Sequence, residues 1–297
     1  SRVIIPLKKF GAKFSRSKNL PLEMKGINSP KPISYLEKKG SAQCKSTIML
    51  AALKSEGVTT IKAKKSRDHT ELMFKHLKIP IIIKKNNKKF DQIKIYGVKK
   101  VSPLNYKIPG DISSCAFFIV LTLLSKNSQL LIKNININPT RIGIIKILKM
   151  MGGSIKFLNK RSYKGEKISD IYVESNKNLK GIKLDPKFNS AAIDEFLLIF
   201  LVAARANNSS KFIKIHELNA KESRRLEWGF KILKMIGIKT KKIGNHGIKI
   251  FGKPDIRLNK NFVVKNFLKD HRIFMTCVIA AMTFGGYWKI YNPESIK

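Results

Sequence analysis

A sequence of 297 residues is long enough for one large domain or two of medium size, and 43% hydrophobic with 27% charged residues is ordinary for a chain with a real core. The formal charge of +41 first suggests a nucleic acid or an anionic membrane as partner, but ten of the 60 basic residues are arginine and fifty are lysine, scattered through every segment among abundant Ile and Asn. A nucleic-acid site more often concentrates arginines and aromatics on one face, so the charge is read as compositional drift in preference to a binding patch, leaving a field attractive to small anions.

In chain order, an apolar helical pattern opens the sequence and ends at Leu7-Lys8-Lys9-Phe10-Gly11. A long apolar helix is predicted over Ala42–Leu53, a β-patterned run over Val58–Lys65, an amphipathic helix ending at Leu77-Lys78-Ile79-Pro80, and a closing strand over Ile93–Tyr96. The order recurs with a helix over Ile112–Leu124, a strand over Gln129–Ile137, a helix ending at Leu148-Lys149-Met150-Met151-Gly152, and a strand over Ile171–Val173. It recurs again with Ala191–Arg205, Lys211–Leu218, a helix ending at Leu233-Lys234-Met235-Ile236-Gly237, and Ile248–Phe251. A last helix over Arg272–Thr283 and strand over Gly286–Tyr291 follow.

The four Leu-Lys phrases have leucines 70, 71 and 85 residues apart, and each stops at Gly or Pro, as helices do. The unit reads β-α-β-α-β-β. Its period exceeds the roughly 20–50 residues of a solenoid repeat and suits a domain of a few equivalent modules around a shared core. The first helix of each module is apolar on nearly every face, as in Phe117-Phe118-Ile119-Val120, and so calls for burial on all sides. The fold class is α/β, with buried inner helices and with amphipathic helices and sheets outside.

Cys44, Cys115 and Cys277 are odd in number and lie in apolar helical runs, which points to buried free thiols in a reducing compartment. With no CxxC, HExxH or paired His/Cys cluster, no metal site is expected. The most apolar stretch, Ala191–Ala204, contains Asp194 and Glu195 and is too short to span a bilayer. Ser1 is not an initiator Met, and Lys297 follows a strand-like run with no closing element, so the chain is read as part of a longer one.

Three places combine polar groups with apolar helices. Asp194 falls inside an otherwise apolar helix beside Glu195, where a carboxylate is costly without partners; it is a functional candidate, with a structural Asp–Lys pair as the alternative. Ser41-Ala42-Gln43 opens an apolar helix, either as an anion site or as an ordinary Ser N-cap. Ser66-Arg67 ends a strand before the next helix, where Ser66 and then Glu71 also suit a capping box.

Six phrases occur in order: Ser41-Ala42-Gln43-Cys44-Lys45-Ser46, Ser66-Arg67-Asp68-His69-Thr70-Glu71, Gly110-Asp111-Ile112-Ser113-Ser114, Ile193-Asp194-Glu195, Lys221-Glu222-Ser223-Arg224-Arg225 and Asp270-His271-Arg272. Together they resemble the successive signatures of the 5-enolpyruvylshikimate-3-phosphate (EPSP) synthase family, over essentially the whole chain. The resemblance implies a two-domain enolpyruvyl transferase fold of repeated βαβαββ units around buried parallel helices, an inside-out α/β barrel. Residues 1–103 would be the remainder of the N-terminal domain and 104–297 a nearly complete C-terminal domain. It also implies a cytoplasmic monomer without cofactor or metal, with two small anionic substrates, shikimate 3-phosphate and phosphoenolpyruvate, and no nucleic acid or membrane partner. The enolpyruvyl group would pass to the 5-hydroxyl of shikimate 3-phosphate by addition and elimination, releasing phosphate.

Carried over by resemblance, Ser41, Ala42, Gln43, Ser66, Arg67, Asp194 and Lys221 would hold shikimate 3-phosphate. Gln43, Arg225, Arg272 and Lys297 would hold phosphoenolpyruvate, and Lys221 would touch both substrates. Asp194 would accept the proton of the attacking hydroxyl, and Glu222 would handle the proton at the phosphoenolpyruvate methylene. Asp111 and Asp270 would cap helices. The family phrase is Lys-Glu-Ser-Asp-Arg; Arg224 departs from it and is expected to point away from substrate. Further family residues would lie before Ser1, so the chain alone is expected to be inactive, its first domain incomplete. Two rivals are the sister transferase that uses UDP-N-acetylglucosamine, whose reactive Cys loop is not found here, and a non-enzymatic basic module with steeply salt-dependent nucleic-acid binding.

Overall fold

The computed structural model describes residues 2–15, 21–86, 90–176 and 178–296. The chain divides into two compact units, one of Ser1–Ile108 with Ser162–Glu166, the other of Pro109–Arg161 with Lys167–Lys297.

The first unit begins with α1 (Ile4–Phe10) and a short antiparallel pair, β1 (Lys13–Phe14) and β2 (Met24–Lys25). β3 (Ser34–Glu37), α2 (Ala42–Ala52), β4 (Val58–Ala63), α3 (His69–His76), β5 (Ile81–Lys84) and β6 (Asp91–Tyr96) follow. β3 and β4 are parallel across α2, while β6 runs antiparallel to both β4 and β5, giving the order β3-β4-β6-β5. This is the β-α-β-α-β-β unit read from the sequence: a parallel pair needs a crossover helix, and the antiparallel pair needs only a turn. The core of this unit joins Ile48, Met49, Ile61, Phe74, Ile93 and Ile95.

The second unit repeats the pattern. α4 (Ile112–Leu124), β7 (Gln129–Asn136), α5 (Gly143–Met150), β8 (Ser154–Tyr163) and β9 (Glu166–Glu174) form a sheet ordered β7-β9-β8, with Gly110 bridging Ile135 in parallel. A 3-10 helix (Pro186–Ala192), α6 (Phe196–Arg205), β10 (Ser209–Phe212), a second 3-10 helix (His216–Ala220), α7 (Arg225–Met235), β11 (Thr240–Ile243) and β12 (Gly247–Phe251) form the next, ordered β10-β12-β11. β13 (Leu258–Val264), α8 (His271–Phe284) and β14 (Gly285–Ile290) make a parallel crossover, and Pro293–Ile296 forms a last 3-10 turn. Among the described residues no sheet closes into a barrel.

The inner helices α4, α6 and α8 pack on one another. α6 is buried from Phe196 to Ala204, as an all-apolar helix must be. The expectation of burial on all sides fails for the others. Phe118 of α4, Leu50 of α2 and Met282 of α8 are exposed, because these helices each present one face away from the core. The Leu-Lys phrases end α1, α3, α5 and α7 as expected. Gly152 and Gly237 take φ of 89° and 72° just past their helices, a region that costs a residue with a Cβ. In the phrase that ends in Pro80, Lys78 takes the left-handed position at φ 56° instead.

Candidate active site

In the first unit the residues singled out lie at the carboxyl ends of the parallel strands β3 and β4. Ser41 caps α2, its Oγ accepting from the Cys44 amide at 3.3 Å. Gln43 is exposed, and its Oε1 accepts from Arg2 Nη1 at 3.3 Å. A Cβ on Gly40 would stand 3.4 Å from the Lys65 carbonyl, so the turn before α2 runs directly beside the one that carries Ser66 and Arg67. The expected capping box is not formed. α3 starts at His69 with Asp68 in the N-cap position, too far along for Ser66 to cap it. Glu71 turns inward instead and pairs with Lys45 of α2, both side chains about 5% exposed. Burial pushes the Glu71 carboxyl up, against the Lys45 charge that lowers it. The Ser66 hydroxyl is buried without a hydrogen-bond partner among the described residues.

In the second unit five of the predicted residues come together. Asp194 is not inside a helix: Pro186–Ala192 is 3-10, Ile193–Glu195 is a turn, and α6 starts only at Phe196. The 3-10 segment is held by Asp185, which accepts from the Lys187 amide, and by Asn189, which donates to the carbonyls of Ile213 and Lys214. The expected strand Lys211–Leu218 is likewise shorter, ending at Phe212 before a 3-10 turn at His216–Ala220. These two irregular segments deliver Asp194 and Lys221 to each other, with Lys221 Nζ 3.0 Å from Asp194 Oδ1.

Arg225, at the start of α7, is 2% exposed. Its Nε donates to Asp270 Oδ2 at 2.9 Å, and its Nη2 donates to Asp270 Oδ1 at 3.3 Å and to Glu222. Nη1 lies 3.5 Å from Asp194 Oδ1. Arg272, at the start of α8, donates from Nη1 to the Asp194 carbonyl at 3.2 Å and stands 3.7 Å from Glu195 Oε1. Asp194, Lys221, Glu222, Arg225 and Arg272 therefore form one cluster of three cations and two carboxylates at the N-termini of α6, α7 and α8, where unpaired backbone N–H groups add partial positive charge. Arg224 points outward and pairs with Glu227 at 2.9 Å. Lys297 lies outside the described residues.

Two residues beneath this cluster were not singled out as part of the site. Asp270 caps α8 as expected, accepting from the Arg272 amide at 2.9 Å, and it also accepts from Ser223 Oγ at 2.7 Å besides both Arg225 contacts. Burial alone would raise its carboxyl, but the hydrogen bonds from Arg225 and Ser223 prevail and hold it below the usual carboxylate range. Glu195 is 3% exposed. Burial pushes it up, while a hydrogen bond from Ser113 and the Arg272 charge act the other way. Arg141 reaches the same place, donating to Ser113 Oγ at 2.7 Å and to Asp111, which caps α4 through the Ser113 amide. No local pattern in the sequence marked Asp270 as a partner of Arg225; 45 residues separate them. Among the described residues no group of His, Cys, Asp and Glu suits a metal ion, and no helix is long and apolar enough to cross a membrane.

A family model described as EPSP synthase (3-phosphoshikimate 1-carboxyvinyltransferase) matches residues 1–297. Proteins named 3-phosphoshikimate 1-carboxyvinyltransferase from Caldicellulosiruptor bescii and Petrotoga mobilis are each 37% identical over the whole of this chain, which covers 68% and 67% of them. The structure of EPSP synthase from Acinetobacter baumannii superposes on 99% of the chain with a TM-score of 0.86 at 32% identity, the chain covering 66% of it. The enolpyruvyl transferase NikO from Streptomyces tendae, at 13% identity and a TM-score of 0.68, shares the fold. The chain thus spans about two thirds of the length of these relatives. Repeated βαβαββ units, the charged cluster at the ends of the inner helices, and these matches agree: the chain belongs to the EPSP synthase family of 3-phosphoshikimate 1-carboxyvinyltransferases.

Proposed function

We propose that the protein to which this chain belongs transfers the enolpyruvyl group of phosphoenolpyruvate to the 5-hydroxyl of shikimate 3-phosphate and releases phosphate. The observation that carries the reading is the Asp194 carboxylate held at 3.0 Å by Lys221 and at 3.5 Å by Arg225, within a cluster that also presents Arg272 and Glu222. Addition of a hydroxyl to the enol carbon needs a proton acceptor at the hydroxyl and a donor to the methylene; elimination reverses that second transfer and expels phosphate. Asp194 takes the hydroxyl proton. Glu222, whose side chain is 59% exposed and held at one oxygen by Arg225, gives a proton to the methylene and recovers one from the resulting methyl.

Arg225 and Arg272 receive the carboxylate and phosphate of phosphoenolpyruvate, as planar donors suited to two-point contacts, and Lys221 stands between the substrates. Their prior pairing with Asp270, Glu222 and the Asp194 carbonyl fixes these cations before substrate arrives, so little reorganisation is left for the transition state. Ser41, Ala42 and Gln43 at the N-terminus of α2, with Ser66 and Arg67 beside it, hold shikimate 3-phosphate, and Gln43 also reaches phosphoenolpyruvate. Lys297 completes the phosphoenolpyruvate set by resemblance. The reading includes a cytoplasmic monomer working without cofactor; the three buried, unpaired cysteines agree with a reducing compartment.

The test is phosphate release from phosphoenolpyruvate by the full-length protein, with shikimate 3-phosphate and UDP-N-acetylglucosamine offered in parallel. Release with shikimate 3-phosphate alone, reduced by about 10²-fold or more in both Asp194→Ala and Glu222→Gln, is the expected result. Release with UDP-N-acetylglucosamine, or from neither acceptor by a folded protein, would overturn it.

A further inference from the structure

Four lysines stand in one row across the outer face of the sheet β10-β12-β11. Lys183 bridges Lys211 in parallel, Lys211 pairs directly with Lys249, and Lys249 with Lys241. Phe212, Ile248 and Ile250 between them are buried, so the row faces away from the core. Neighbouring strands lie about 4.8 Å apart, which spreads four ammonium-bearing side chains along roughly 14 Å. Like charges directly opposite one another destabilise a sheet. No ion pair to an acidic side chain offsets this for any of the four among the described residues.

Lysine abundance alone does not produce such a row. The matching rows of the first unit read Leu36–Lys62–Gln92–Lys84 and Ser34–Thr60–Lys94–Ile82. The β7–β9 pairs read Gln129–Glu174 and Leu131–Tyr172. The repeated modules thus act as an internal control for composition: among the described pairs, lysine faces lysine once more, at Lys13–Lys25 of the two-stranded β1–β2 sheet, and a row of four is found in β10-β12-β11. It lines an open cleft of about 600 Å³, bordered also by Lys242 and Ser209 and containing no acidic residue. That volume is in the range of small-molecule sites. None of its residues belongs to the Asp194 cluster.

We propose that this cleft binds a linear polyphosphate, free or as the triphosphate tail of a nucleotide, with the lysines meeting successive phosphates. Lysine binds phosphate as a point charge, and a row of point charges matches a chain of phosphates better than a single compact anion.

Titration calorimetry of the full-length protein with tripolyphosphate, ATP and inorganic phosphate tests this. Tripolyphosphate is expected to bind, and more tightly than phosphate. The variant K183Q/K211Q/K241Q/K249Q should weaken it at least about tenfold, while K133Q/K146Q/K156Q/K260Q, with the same change in charge at lysines that do not line the cleft, should weaken it less than about twofold, since a screened field falls off within about 10 Å at 0.1 M salt. Should the quadruple variant not fold, K211Q/K249Q is expected to show a loss of at least about threefold, again as a short-range charge effect. Equal affinity for ATP and tripolyphosphate assigns the free chain of phosphates as the ligand; tighter ATP assigns the nucleotide. Equal losses in the two quadruple variants, no tripolyphosphate binding, or tighter binding of a single-stranded oligonucleotide at the same lysines would overturn the proposal.

Discussion

Asp270 offers the sharpest test of how the cluster is held together. Its carboxylate accepts from Ser223 Oγ at 2.7 Å, Arg225 Nε at 2.9 Å, Arg225 Nη2 at 3.3 Å and the Arg272 amide at 2.9 Å, with the side chain wholly buried. Asp270→Ala removes a helix cap, which costs about 1 kcal/mol. It also leaves Arg225 buried without its main counter-ion, and breaking a buried pair in this way costs about 3–5 kcal/mol. Asp270→Asn separates the two effects, because Asn caps a helix as well as Asp but offers no charge, and at most one oxygen, to Arg225. The expected losses at pH 7 are about 4–6 kcal/mol for Ala and about 1 kcal/mol less for Asn.

Urea unfolding followed by circular dichroism measures both. The pH dependence supplies a second check. The folded-state pKa of Asp270 is depressed, so its contribution is fully present above the unfolded value near 3.8 and is lost as pH falls through the lower folded value. The gap between wild type and Asp270→Asn should therefore be constant from pH 7 to about 5 and close below about pH 4. An Asn variant within about 0.5 kcal/mol of wild type at pH 7, or a gap that persists into acid, would refute the reasoning.

Two further outcomes are expected. Burial pushes the thiol of Cys277 up to about 12 and that of Cys115 to about 11, so neither should be alkylated by iodoacetamide at pH 8 until the chain unfolds, as peptide mass spectrometry reads directly. Gly229→Ala inside α7 would ordinarily stabilise a helix, but its Cβ would stand 2.8 Å from two ring carbons of Phe200 on α6; a net loss of about 1–3 kcal/mol in urea unfolding is expected, and a gain would show that the helices can separate without strain.

Much of this architecture was legible in the chain itself. Repeated Leu-Lys phrases, capping aspartates and all-apolar helices marked the modules, because caps and periodicity are local properties. α4 fell at its predicted bounds and α8 within one residue at each end, each behind an Asp that caps it. The predicted helix Ala191–Arg205 lost its first turn, and the predicted strand Lys211–Leu218 kept only its first two residues, where the apolar pattern continues but the backbone turns irregular and then 3-10. Tertiary contacts won over pattern there: Asn189 is tied to the carbonyls of Ile213 and Lys214, and Asp194 to Lys221, so the two departures from regular structure support each other.

The sequence by itself determined the modules, their order, the helix caps and the chemical types gathered at the inner-helix ends, since each depends on residues close together in the chain. Only the tertiary structure decided which charges meet. Glu71 turned from a helix cap to Lys45, Asp270 became the seat of Arg225 as well as a cap, and four lysines, three on separate strands and one bridging to them, came into one row. The physical reason is common to all three. A buried or paired charge is placed by a partner tens of residues away, and strand register brings together side chains that no local pattern connects.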